Sequence, residues 1–263
     1  MDTEAVLTLL QETAAQVINP RFQALVEGEV SEKKPGDYVT VADREAEEMI
    51  TDRIRDALPD VLVVGEEATA ARPELLVDLG LADHAFILDP IDGTRNFVNG
   101  SRDHAVMLAE VRSGETVRAW IWQPQWERSW VAEKGGGVML DGKPLTAADP
   151  VAPWHGRTSA KELMHTETAE VRRIPWSTSC CGVDYPMVAA GEEDFLAYRT
   201  RLMPWDHLPG VLMVREMGGI ARTVSGLEYE VGILDTSLVV ARNEDIWHAV
   251  AKLGRVAGLD NRR

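Results

Sequence analysis

Apolar residues at Val6, Leu9, Leu10, Val17 and Ile18 fall on one stripe of a 3.6-residue period until Asn19-Pro20 interrupts it, so residues 4–18 predict an amphipathic opening helix. The same period returns after Asp43 through Ala46, Met49, Ile50, Ile54, Ala57 and Leu58, and Pro59 stops it, predicting a second helix. Short unbroken apolar runs follow. Residues 61–64 run into Gly65-Glu66-Glu67 and residues 86–88 into Asp89-Pro90, so two predicted strands each deliver acid at their C-terminal ends.

From residue 104 the segments 104–111, 117–122, 129–133 and 138–140 read as successive strands of an antiparallel meander, separated by Gly, Pro and charged turns. Trp120 and Trp122 share a face by the two-residue period, and with Trp126 and Trp130 they suggest a stacking platform for bases or sugars. The acidic charge of the chain favours core packing instead. Beyond residue 148 the elements alternate: a strand at 176–180, a helix at 183–190, a helix at 205–217 ended by Gly218-Gly219, strands at 220–224 and 237–241, and a closing helix capped by Asn243. Asp149, Pro150 and Pro153 mark a seam between an N-terminal α+β lobe, 1–148, and a C-terminal α/β lobe, 149–263.

Composition narrows the class. A chain of 263 residues that is 45% apolar can bury a large core without covalent staples. No run reaches the roughly 20 apolar residues a membrane helix requires. The acidic start Met1-Asp2-Thr3-Glu4 lacks the basic leader of a secretory signal, so the expectation is a cytoplasmic protein. A net charge of −16 argues against nucleic acid or an anionic membrane as partner. Cys180 and Cys181 are adjacent, which suits packed thiols better than an ordinary disulfide, and no local base accompanies them. A phosphorylated small molecule stays compatible with this charge, because clustered acid can hold divalent cations that attract the phosphate.

The acid is clustered. Asp89-Pro90-Ile91-Asp92-Gly93-Thr94 sets two carboxylates three residues apart across a turn, and amides at Gly93 and Thr94 would face an anion if they open a helix. Alone, such a turn is ordinary, because Asp favours turns through bonds to its own backbone. Together with Gly65-Glu66-Glu67 after a strand, Asp206 opening a helix after Trp205, and Asp43 after Thr40, four segments present acid at element ends. A core does not require that.

Gly65-Glu66-Glu67, the run from Asp89 through Phe97, and Trp205-Asp206 followed after a helix by Gly218-Gly219 resemble, in this order, the motifs of the inositol monophosphatase family, within the lithium-sensitive, metal-dependent phosphatases. The resemblance spans nearly the whole chain. It implies an α+β fold, a layered αβαβα sandwich in two lobes with the active site between them. It implies that Glu66, Asp89 and the Ile91 carbonyl hold one magnesium, that Asp89, Asp92 and Asp206 hold another, and that a third ion shares Glu66. Gly93 and Thr94 would bind phosphate, and Thr94 with Asp43 would orient or activate the attacking water, which places Asp43, Glu66 and Thr94 in the catalytic set. Hard oxygen ligands suit Mg²⁺. The implied partner is a small phosphorylated metabolite, and the expected assembly a homodimer.

Departures from the family pattern bear on the substrate. Many inositol-selective members place an acid seven positions before the aspartate matching Asp206; here that position is Arg199, a cation suited to a second phosphate or a carboxylate, or else paired with Glu192, Glu193 or Asp194. Arg95 is charged where inositol-type members are not, a feature of relatives acting on histidinol phosphate or adenosine bisphosphate. Lys33 and Lys34 lie before the 37–43 segment, where relatives often have a lysine near the metals, or else read as solvated loop charges, and His207 points about 100° from Asp206 on a helix, toward lobe packing or substrate lining. Three readings stay open: an inositol-type monoesterase, a phosphatase of histidinol phosphate or of a 3′-phosphoadenosine nucleotide, and a non-catalytic partner-binding protein on the same fold.

Overall fold

The computed structural model describes residues 1–233 and 235–260. Helix α1 (Thr3–Thr13) is capped by the Asp2 carboxylate, widens into a π-helical turn at Ala14–Ile18 and ends in a 3₁₀ turn at Asn19–Arg21. A hairpin follows, β1 (Val30–Lys34) and β2 (Asp37–Thr40), and then α2 (Val41–Ala57). Strand β3 (Leu62–Gly65), helices α3 (Glu66–Ala71) and α4 (Leu75–Leu79), strand β4 (His84–Asp92) and helix α5 (Thr94–Val98) lead into the meander: β5 (Ala105–Arg112), β6 (Glu115–Gln123), β7 (Arg128–Glu133), β8 (Gly137–Leu140) and β9 (Lys143–Pro144). The remainder comprises β10 (Gly156–Thr158), α6 (Cys181–Ala190), β11 (Phe195–Arg199), α7 (Pro204–Glu216), β12 (Ile220–Arg222), β13 (Ser237–Ala241) and α8 (Glu244–Val256).

Two sheets organise these elements. Seven strands run in the order β3-β4-β5-β6-β7-β8-β9, with only β3 and β4 parallel, and four run in the order β10-β11-β13-β12. Neighbouring residues on a strand point to opposite faces, and the core splits accordingly. Phe86 and Leu88 pack outward with Val6, Leu10, Ile50 and Ile54 of α1 and α2. Ile87 and Ala85 pack inward with Tyr185 of α6, Leu208 and Val211 of α7, and Leu196, Leu238 and Val240 of the small sheet. Phe195, Ala197 and Val239 face away again, onto Ile246, Trp247 and Val250 of α8. The layers therefore read α, β, α, β, α, as the resemblance implies.

The differences from the sequence reading have local causes. The second helix begins at Val41, not after Asp43, because Thr40 is its cap and Asp43 completes a capping box. Residues 30–40 form a hairpin although Val-Ser-Glu-Lys-Lys is too polar to read as a strand. The segment 176–180 is no strand: only Trp176 bridges to Thr158, and Ser179 turns to φ +62° while the Asp184 carboxylate binds Thr178 N at 3.0 Å and its hydroxyl at 2.8 Å. Strands β10 and β11 went unread. Of the tryptophans, Trp120 and Trp130 are core residues, whereas Trp126 lies at the surface beneath the Arg102 guanidinium, 4.2 Å from its ring centroid.

Candidate metal and phosphate centre

Helix α2 begins the site. Asp43 Oδ2 accepts the Thr40 amide at 2.8 Å and hydroxyl at 2.6 Å, leaving Oδ1 to accept the Thr94 hydroxyl at 3.0 Å. That hydroxyl also lies 2.9 Å from the Ile91 carbonyl oxygen, so Thr94 sits between a carboxylate and the carbonyl that the resemblance assigns to a cation. Burial lifts the Asp43 carboxyl to about 7, against the lowering influence of its bonds to Thr40 and Thr94. Gly93 caps α5 at φ +82°, a left-handed conformation that other residues adopt at a cost, and a Cβ there would meet Asp103 O at 3.0 Å.

Strand β4 and helix α7 supply the central acids. Single oxygens of Asp89, Asp92 and Asp206 lie within 4.8 Å of one another. Asp89 Oδ1 accepts the Ile91 amide at 3.1 Å. Asp92 Oδ2 is held from the far half of the chain, by Gly182 N at 2.5 Å and the Cys180 thiol at 2.9 Å. The buried Cys180 is thus a donor to a predicted ligand as well as a packed thiol. Burial, then the charges of Glu66, Asp92 and Asp206, push Asp89 well above the usual carboxylate range. Burial and the charges of Glu66 and Asp92 do the same to Asp206, while burial takes Asp92 to about 6. A donor set of hard oxygens whose mutual repulsion a cation would reverse fits a divalent metal of the magnesium or calcium type.

Glu66, the first residue of α3, lies outside the group of carboxylates within 4.8 Å, although after burial its charge is the largest influence on Asp89 and Asp206. Lys33 reaches it from β1, with Nζ donating to Glu66 Oε1 at 2.6 Å and to Glu67 Oε1 at 2.8 Å. The lysine is therefore a strand residue bound to the site, not a solvated loop charge. Lys34 pairs with Asp37 at 3.4 Å. Lys33 lies in a polar pentapeptide without periodicity, so only the family resemblance pointed to a lysine near the site.

The residues bearing on substrate are placed differently. Arg199 ends β11 and pairs with Glu162 at 3.3 Å, not with Glu192, Glu193 or Asp194. Arg95 donates to the Gly36 carbonyl at 2.5 Å, which ties it to the β1–β2 turn. His207 is fully buried among Tyr185, Tyr198 and Tyr229, with Nδ1 2.8 Å from the Tyr185 hydroxyl, and burial drives its pKa down to about 3. We expect His207→Ala to keep its turnover, because a lost general acid costs about 10²–10⁴-fold and this ring is not placed to act as one. Thermal unfolding should show a loss of ~2–5 kcal/mol from the cavity and the unpaired Tyr185 hydroxyl. Turnover below roughly 1% of wild type would assign the ring to the reaction.

The chain is similar to known proteins along most of its length. A family model described as the inositol monophosphatase family matches residues 2–255. The inositol-1-monophosphatase of Mesorhizobium japonicum is 33% identical over 241 residues, covering 85% of this chain and 85% of its own. The protein named Nus factor SuhB of Salmonella typhimurium is 31% identical over 229 residues, 81% of this chain and 82% of its own. The solved structure of an IMPase of Thermotoga maritima superposes with a TM-score of 0.82 at 27% identity, covering 98% of both chains.

Proposed function

Because the chain belongs to the inositol monophosphatase family, we propose that it is a magnesium-dependent phosphatase whose site is assembled by Glu66, Asp89, Ile91, Asp92 and Asp206 and whose substrate is a small metabolite phosphate monoester. The observation that carries this reading is the convergence of Asp89, Asp92 and Asp206 within 4.8 Å, beside a left-handed Gly93 that starts a helix. Two or three Mg²⁺ ions bound there would supply Lewis-acid chemistry, lowering the pKa of water and neutralising phosphate oxygens. The amides of Gly93 and Thr94 cradle the phosphate. Thr94 Oγ1, held by Asp43 Oδ1 at 3.0 Å, has lone pairs free to accept from the attacking water, and Asp43 takes up the proton that Thr94 relays.

In this reading the site lies where the lobe of residues 1–148 meets that of 149–263, and Arg199, released from Glu162, contacts the non-phosphate end of the substrate. The working form is a cytoplasmic homodimer. An inositol phosphate, histidinol phosphate and a 3′-phosphoadenosine nucleotide are the candidate substrates. Phosphate release from a panel of these, with and without Mg²⁺, tests the reading. We expect magnesium-dependent release from at least one, and silence across the panel from folded, magnesium-loaded protein would count against it.

A second reading, partner binding on the same fold, is favoured by the 31% identity to a relative named as a Nus factor. It predicts a partner retained when the acids are removed. The full set of acids at Glu66, Asp89, Asp92 and Asp206 favours catalysis over it.

A further inference from the structure

Glu47 lies one turn beyond Asp43 on α2 and is only 6% exposed, yet no cation among the described residues pairs with it. Its two oxygens instead accept backbone amides: Oε2 from Glu67 N at 2.8 Å and Oε1 from Ala68 N at 2.7 Å. These are orphan donors in the first turn of α3, the helix that begins with Glu66. The local cap residue, Gly65, has no side chain to satisfy them, and a Cβ there would lie 2.2 Å from Glu47 Cδ. The glycine in Gly65-Glu66-Glu67 thus makes room for a carboxylate from another helix. A neutral cap would avoid the cost of burying a third acid beside Glu66 and Glu67, whose charges, after burial, help lift Glu47 to about 7.

We propose that Glu47 is a positioning residue for the metal centre, fixing the rotation of α3 so that Glu66 is aimed at Asp89, Asp92 and Asp206. Helix α2 then sets two parts of the site at once, Thr94 through Asp43 and Glu66 through Glu47, while Lys33 holds the Glu66 and Glu67 side chains from the other direction. The inference rests on Glu66 being a metal ligand, as proposed above.

Calorimetric titration of metal-free protein with Mg²⁺ tests it, alongside activity as a function of Mg²⁺. Glu47→Gln turns one acceptor into a donor facing an N–H, and Glu47→Asp keeps the charge but shortens the reach. Both should weaken Mg²⁺ affinity about 10-fold or more while kcat at saturating Mg²⁺ stays within about 3-fold. Glu48→Gln, on the exposed neighbour, should bind like wild type. In a Glu66→Gln background, Glu47→Gln should add less than about 2-fold, because it acts through Glu66. Wild-type affinity in a thermally weakened Glu47→Gln would leave only a structural cap and overturn the proposal. Loss in Glu47→Gln but not in Glu47→Asp would mean charge alone, and an undiminished effect without Glu66 would mean another route; each overturns it. Failure of wild type itself to bind Mg²⁺ would instead bring down the phosphatase reading, and this inference with it.

Discussion

An Asp89→Asn enzyme is expected to lose about a thousand-fold or more in kcat while its metal-free form unfolds no more easily than wild type. Activity and stability part company here because the carboxylate is unfavourable without a cation. Asp89 is buried beside Glu66, Asp92 and Asp206, which together hold its pKa well above the usual range, so a neutral amide relieves repulsion. Asparagine keeps an oxygen for the Ile91 amide, bound at 3.1 Å in the native chain, so the turn survives. Phosphate release at saturating Mg²⁺ and thermal unfolding in chelator check the two halves separately. Near-native turnover would remove Asp89 from the metal centre.

Metal-free protein should be less stable at pH 8 than at pH 5.5, and Mg²⁺ should reverse the order. The sign follows from the carboxyls whose pKa values are raised in the folded chain: Asp43 and Glu47 to about 7, and Asp92 and Asp184 to about 6, each chiefly by burial. Folded protein retains protons that the unfolded chain releases above about pH 4, so stability falls as pH rises from there, and the loss from these groups is complete only about a unit above their folded pKa of about 7. A melting temperature in chelator at least ~5 °C lower at pH 8 is the expected size, since a kilocalorie moves a chain of this length by a few degrees. Mg²⁺ bound as proposed would take the ionised acids, so its stabilising shift is expected to be large at pH 8 and small at pH 5.5, where protons compete. Equal melting temperatures in chelator at both pH values would mean that these carboxyls are not strained.

How far these features can be read from sequence depends on whether the cause is local. Strand β13 was legible to the residue, because Ser237–Ala241 is a run buried at every position between turn signals. The trio was legible because Asp89, Asp92 and Asp206 sit at element ends in recognisable company. The β1–β2 hairpin was not, since neither strand alternates: β1 has no buried residue and β2 is buried only at Val39 and Thr40. Glu47 was hidden differently: at four residues from Asp43 it looks like any polar position on an amphipathic helix, and only the approach of α3 reveals that it faces inward. The curled segment at 176–180 read as a strand because the Asp184 carboxylate that bends it lies outside the window.

The hold of Gly182 and Cys180 on Asp92, and the arrival of Asp206 on α7, also set a schedule. During synthesis Glu66, Asp89 and Asp92 leave the ribosome well before residues 180–206, and domains complete only when their distant partners have emerged. The elongating chain therefore presents Glu66, Asp89 and Asp92 before Asp206 and the donors Gly182 and Cys180 can join them. In the proposed reading cation capture waits for α7, and a chain truncated before it carries Glu66, Asp89 and Asp92 without the Asp206 that completes the trio.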